Sequence, residues 1–286
     1  MRTMKNIILV VFALSITLQR VVAMNCLSLE EASKKGWIKL SIKSKGGFIG
    51  QTIEMKIKNS CNQLLEFKLE AGRRLDSKNE NLQDMLVTKP EEFALYPNQL
   101  KTICVYGMCC QAHKGCPLKD GDYTIGKMAD SNLIKLAEFI NKNKYYILFA
   151  AQQAVWTVSD KNSIGGISGG DKTEVDGLQK YVSQLTGRPI PKYIVDYAIE
   201  SDREVMGRAK KIKGIFDYSL PANAHVTVAI YNSNGVLVQL LFKDMAHGKG
   251  DYKLYYTFRT ARLEQGTYYA RLNLDGRTEK EMKIEF

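Results

Sequence analysis

Histidine is scarce in this sequence: its 286 residues hold three, His113, His225 and His247. His225 and His247 stand apart from any cysteine or carboxylate cluster, so a site built on several histidines is not to be found here. Past Leu18 no stretch is apolar enough to cross a membrane. The glycine-rich "KNSIGGISGGDK" lacks the Gly-Lys-Ser/Thr ending of a phosphate loop and no strong strand leads into it, so it reads as a linker or surface loop. No nucleophile elbow marks a sharp strand-to-helix turn. Lys and Arg are scattered rather than clustered, which argues against a nucleic-acid groove.

The N-terminus has a distinct order. "MRTMKNIILVVFALSITLQRVVA" places Arg2 and Lys5 before an apolar run, Ile7 to Leu18, and ends in Val21-Val22-Ala23. That is the layout of a secretory signal peptide over residues 1–23, with cleavage expected after Ala23. Its removal takes three basic residues (Arg2, Lys5, Arg20) and no acid, lowering the formal charge from +11 to +8. The chain is thus expected to be secreted, extracellular or on the outer cell surface, with no transmembrane segment in its mature form. The mature length suits two domains of ordinary size.

Short alternating runs dominate the next stretch. Ile38, Leu40 and Ile42 share one face, as do Ile53, Met55 and Ile57 in "TIEMKIK", and Leu65, Phe67 and Leu69 in "LLEFKLE". "SKGGFIG" and "NSCNQ" supply turns between them, and "DMLVT", "EEFALY" and "KTICVYG" read as further strands. "SLEE" at Ser28 is a capping box opening a short helix. The spacing predicts an antiparallel sandwich. After Asp130 the texture turns helical: "SNLIKLAEFINKNK" with Ser131 as its cap, a buried helix in "YYILFAAQQAVWTVSD", and "KTEVDGLQKYVSQLTG". From Lys213 the chain is strand-like again, with an Asn234-Gly235 hairpin turn. The expected fold is therefore mainly β: an N-terminal β-sandwich with added helices (24–160), a helical and loop connector (161–212), and a smaller C-terminal Ig-like sandwich (213–286).

One window concentrates the candidate chemistry. "ICVYGMCCQAHKGCP" holds Cys104, Cys109, Cys110, His113 and Cys116, four of the chain's six cysteines. Zinc is disfavoured, because adjacent Cys109 and Cys110 rarely reach one ion and point to opposite faces of a strand. No metal and no cofactor are expected. A cysteine-dependent hydrolase or transferase centred on Cys109, Cys110 and His113 is the enzymatic alternative, although no residue stands out to orient His113. Disulfides are the plainer reading in an exported chain. Cys26 with Cys61, and Cys104 with Cys116, are the candidate pairs.

Two stretches resemble known families. "LPANAHVTVAIYNSNGVLVQLLF … LEQGTYYARLNLDGRTEKEMKIEF" resembles the C-terminal Ig-like modules of secreted Bacteroidota proteins, including the sorting domains of type IX secretion. The chain ends in "EKEMKIEF", with acids interleaved where those modules carry a lysine-rich strand. "YGMCCQAH … AAQQAVW" is similar to the thioester domains of bacterial surface adhesins, whose helix reads Thr-Gln-x-Ala-x-Trp; here Ala151 replaces the Thr. The resemblance implies a bond between the Cys109 sulfur and the Gln152 side-chain carbonyl, with Tyr106, Trp156 and His113 supporting the site. It also implies covalent capture of an amine or hydroxyl on a host, matrix or cell-surface protein or glycan. The C-terminal module would engage the secretion machinery. An exported adhesion or interaction protein is the leading expectation, and a purely structural exported domain is the third reading beside the enzyme.

Overall fold

The computed structural model describes residues 27–200 and 204–286. The expected signal peptide, its cleavage point and Cys26 lie outside the described residues. The fold is mainly β, with 47% strand and 19% helix. Among the described residues no helix is long and apolar enough to cross a membrane.

The N-terminal unit begins with β1 (Leu27–Ser28) and α1 (Leu29–Lys34), capped by the Ser28 hydroxyl accepting from the Glu31 N–H. Nine strands follow: β2 (Ile38–Ser44), β3 (Ile53–Asn59), β4 (Leu65–Leu69), β5 (Arg73–Ser77), β6 (Met85–Val87), β7 (Glu91–Leu95), β8 (Leu100–Val105), β9 (Gly107–Cys109) and β10 (Asp122–Met128). A small sheet, β1-β4-β7, and a large one, β8-β3-β2-β10-β5-β6-β9, share a single core. The inward residues are those the alternation marked: Ile53, Met55, Ile57, Phe67 and Leu69 are all fully buried. The strands at the two ends of the large sheet, β8 and β9, are consecutive in the chain. One stretch therefore pairs with β3 through its first half (Ile53↔Val105) and with β6 through its second (Met85↔Cys109). That double pairing curls the large sheet back on itself, barrel-like, within the N-terminal sandwich, while β8 and β9 each keep one side without a strand partner.

Three helices cover the outer face of β6 and β9: α2 (Ser131–Asn143), α3 (Phe149–Ser159) and α4 (Lys172–Thr186). They share a second core with Leu86, Met108 and Cys110. The cap of α2 is Asp130, whose carboxylate accepts from the Asn132 and Leu133 N–H groups, and not Ser131 as expected. Apolar nearly all round, α3 is buried on both sides, against the helices and against the first core. The glycine-rich loop is on the surface at Lys161 and from Gly169 on, but its middle, Ile164–Ile167, is buried. Ile164–Gly166 form a buried 3-10 turn against the next strand, and an added Cβ would stand 2.4 Å from the Tyr193 carbonyl at Gly165 and 2.3 Å from the Tyr197 ring at Gly166. Glycine is needed there for close approach.

The C-terminal unit starts earlier than Lys213. β11 (Tyr193–Glu200) pairs with β12 (Glu204–Leu220), which continues through the expected boundary. β13 (Ala224–Asn232), β14 (Leu237–His247), β15 (Gly250–Arg259), β16 (Thr267–Leu274) and β17 (Arg277–Glu285) complete it. Sheets β11-β12-β15 and β14-β13-β16-β17 enclose a core of their own. Tyr193, Val195, Ala209 and Ile212, all before the expected boundary, belong to that core.

A consequence follows for dissection of the chain. Residues 193–286 expressed alone are expected to give a cooperative β-rich thermal transition, and residues 213–286 none, because the shorter piece loses β11 and bares the core. Equal melts would show that β11 is dispensable.

Candidate functional site

Cys109 and Gln152 meet although 43 residues separate them. Cys109 ends β9 with its side chain in the barrel core, while Cys110 faces the helices, the strand alternation placing the two thiols on opposite sides. On α3, Phe149, Gln152 and Trp156 recur at helical spacing and form the stripe turned to the barrel. The Gln152 carboxamide, fully buried, lies against the main chain of Cys109. Its Oε1 accepts from the Cys109 N–H at 2.9 Å and its Nε2 donates to the Cys109 carbonyl at 2.8 Å. A side-chain amide here takes the place of a neighbouring strand.

The surroundings are largely apolar. The Cys109 sulfur contacts the Met85 sulfur at 3.6 Å. The Phe48 ring stands 6.1 Å from Phe149 and 6.1 Å from Trp156. Burial holds the Cys109 thiol well above its ordinary range, and nearby Cys116, Cys110 and Asp84 add to the effect. Burial likewise raises Cys110, whose thiol donates to the Asp84 carbonyl at 3.2 Å, with Arg74 opposing the shift. Neither sulfur is a resting thiolate at neutral pH.

Gln83, which the sequence reading passed over, ties the site together. Its Oε1 accepts from Trp156 Nε1 at 3.0 Å and from the Gln111 N–H at 3.2 Å, and its Nε2 donates to the Lys114 carbonyl at 3.1 Å. One buried amide thus joins α3, β6 and the loop that follows Cys110. Asp84 secures the same loop by accepting from Gln111 Nε2 at 2.6 Å. No local pattern marks Gln83, because its partners are remote in sequence.

The other expected residues are dispersed. The Tyr106 ring packs on Tyr146 at 5.0 Å, with the Lys89 ammonium 5.6 Å away, and supports the turn between β8 and β9. His113 is largely exposed, and its Nδ1 pairs with the Asp160 carboxylate at 2.8 Å. Among the described residues no hydrogen bond joins it to Cys109 or Cys110. The five described cysteines are all free thiols, so the Cys104–Cys116 bridge expected from the sequence is not formed. The Cys104 sulfur accepts from Lys45 Nζ at 3.7 Å, whereas half-buried Cys116 packs against the barrel core. The Cys61 thiol donates to the Trp37 carbonyl at 3.7 Å. Among the described residues no group of three or more His, Cys, Asp or Glu side chains is placed to hold a metal ion.

No family model and no curated protein matches this chain. Among solved structures it is similar to red sea bream transglutaminase at 10% identity and a TM-score of 0.21, over 90% of this chain and 33% of that enzyme. Similarity at that level carries no argument about fold or activity, and the site stands on its own geometry.

Gln83→Ala is expected to cost about 2–4 kcal/mol, since it strips partners from the buried Trp156 indole and from two loop backbone groups. Chemical denaturation measures this; a loss below about 0.5 kcal/mol, the range of an ordinary surface change, would show that water replaces the amide.

Proposed function

We propose that this chain is an exported adhesion or interaction protein that captures its partner covalently, through an internal thioester between Cys109 and Gln152. The observation that supports this reading is the paired hydrogen bonding of the Gln152 carboxamide to the Cys109 main chain, at 2.9 and 2.8 Å. It holds the glutamine carbonyl beside the residue that carries the sulfur. It also aims an N–H at the oxygen on which negative charge develops during acyl transfer, the role of an oxyanion-hole donor.

The chemistry balances within the chain. The Cys109 sulfur attacks Gln152 Cδ, an S–C bond forms, the C–N bond breaks, and the thiol proton leaves with the nitrogen as ammonia. The thioester then sits among Phe48, Met85 and Trp156, where exclusion of water protects it from hydrolysis. A primary amine or hydroxyl of the partner attacks the same carbon, making an amide or ester and returning the Cys109 thiol. Each molecule reacts once, which suits attachment and not turnover. Host, matrix or cell-surface proteins and glycans offer such groups, and the C-terminal sandwich would serve export or surface attachment.

One contact favours the cysteine-enzyme alternative: Asp160 orients His113, the partner that the sequence did not reveal. A hydrolase, however, needs that imidazole beside an ionisable thiol. Here both candidate sulfurs are buried and raised, and His113 points to solvent and to Asp160.

Incubated with a biotinylated primary amine, the protein is expected to be labelled at Gln152, as read by peptide mapping. Cys109→Ala and Gln152→Ala should both abolish that label. Label that persists in Cys109→Ala, or that never falls on Gln152, would overturn the thioester.

A further inference from the structure

A strap covers the Cys109–Gln152 pair. It is the connection between β2 and β3, and its sequence Gly46-Gly47-Phe48-Ile49-Gly50 carries three glycines with φ of +84°, +85° and +90°. Side chains rarely adopt these angles. Space is not the reason for glycine here: an added Cβ would meet nothing nearer than 3.6 Å at Gly46 and Gly50, and 3.9 Å at Gly47. The backbone turn itself requires them, and it sets Phe48 between two glycine pivots.

The strap rests on β9 through two hydrogen bonds. The Gly50 carbonyl accepts from the Gly107 N–H at 2.9 Å, and the Phe48 carbonyl accepts from the Cys109 N–H at 3.3 Å. That second donor is the one that also serves Gln152 Oε1 at 2.9 Å. The Cys109 N–H is therefore divided between the strap and the glutamine. The Phe48 ring, half-buried, closes over Phe149 and Trp156. Two backbone bonds, the Phe48 ring and the packing of Ile49 on the helical core are far less than what holds the sheets, so the strap is expected to open before them.

We propose that Phe48 is the gate of the site: the 46–50 strap lifts on its glycines to admit a nucleophile to the Cys109–Gln152 pair, and its lifting frees the Cys109 N–H to donate wholly to Gln152 Oε1. Access and oxyanion stabilisation are then one motion. A closed strap keeps water out and leaves the carbonyl partly polarised; an open one exposes the carbon and strengthens the donor. Phe48 acts through position and access, and takes no part in bond making. The use of the gate rests on the thioester reading, but its existence does not.

The test separates the two. In a Gln152→Met background, which keeps side-chain bulk and cannot form a thioester, Cys109 is a thiol in either case. Its modification by iodoacetamide is followed by peptide mapping, with buried Cys110 on the opposite face as the internal reference. Phe48→Ala, and separately Gly47→Ala, which strains the strap without touching the core, are each expected to speed Cys109 modification about tenfold and leave Cys110 unchanged. Equal acceleration of both cysteines means general unfolding and overturns the gate, as does no acceleration of either. In the chain with Gln152 intact, amine uptake should rise by the same factor. If Cys109 obeys this prediction while no amine is taken up, the gate stands and the thioester falls.

Discussion

A strand that pairs with one neighbour through its first half and with another through its second leaves one row of backbone groups without a strand partner along each half. In this protein the pairings switch at Tyr106, and the bare row of the second half, β9, includes Cys109. Flanking β6, the Thr88 N–H donates to the Tyr106 carbonyl and the Cys110 N–H to the Asp84 carbonyl, so the Cys109 N–H and carbonyl point the other way, the first to the strap and Gln152, the second to Gln152. A buried pair of this kind must be satisfied. Phe48 offers one carbonyl, at the longer distance of 3.3 Å, and the Gln152 carboxamide supplies the rest. The placing of α3 and the meeting of Cys109 with Gln152 follow from that requirement. It also makes Gln152 a structural plug, and under the proposed reading the same carboxamide is the group that reacts.

The helix that carries the plug is held from both ends of the molecule. Gln83 fixes it to the barrel through Trp156. At its far end Arg188 donates to the carbonyl of Thr157, one of those a helix C-terminus leaves unpaired, and to those of Lys161 and Asn162 in the loop beyond, and burial lowers the guanidinium pKa. The C-terminal sandwich adds Tyr197, whose hydroxyl accepts from the Ser163 N–H at 3.0 Å. A cleft of about 970 Å³ remains between the α4–β11 connection and the last strand, lined by Asp160, Arg188, Tyr193 and Phe286.

Much of this was legible in the residues. Alternation in Ile53, Met55 and Ile57 placed the barrel core, and the spacing of Leu133, Leu136 and Ile140 the α2 face. Opposite faces for Cys109 and Cys110 followed from strand geometry. The hidden parts depend on long-range contact. Tyr193, Val195 and Tyr197 alternate as a strand should, yet they follow "GRPIP", which reads as a turn into a connector, and this moved the domain boundary to Lys213. Gly165 and Gly166 read as loop glycines until Tyr193 and Tyr197 press on them. Asp130 took the α2 cap from Ser131 because its carboxylate reaches two N–H groups. Gln83 and Phe48 carry no motif; each matters only through what the fold brings to it.

The central claim is a covalent bond, and the mass of the protein reads it directly. The intact, unreduced chain, weighed under denaturing conditions that keep thioesters, should be lighter than its sequence by one ammonia per molecule. Thiol reductant should not restore that mass, and Gln152→Ala should remove the deficit. A wild-type chain of full sequence mass, with Cys109 free to alkylate once unfolded, would contradict the account and leave Gln152 as a plug alone.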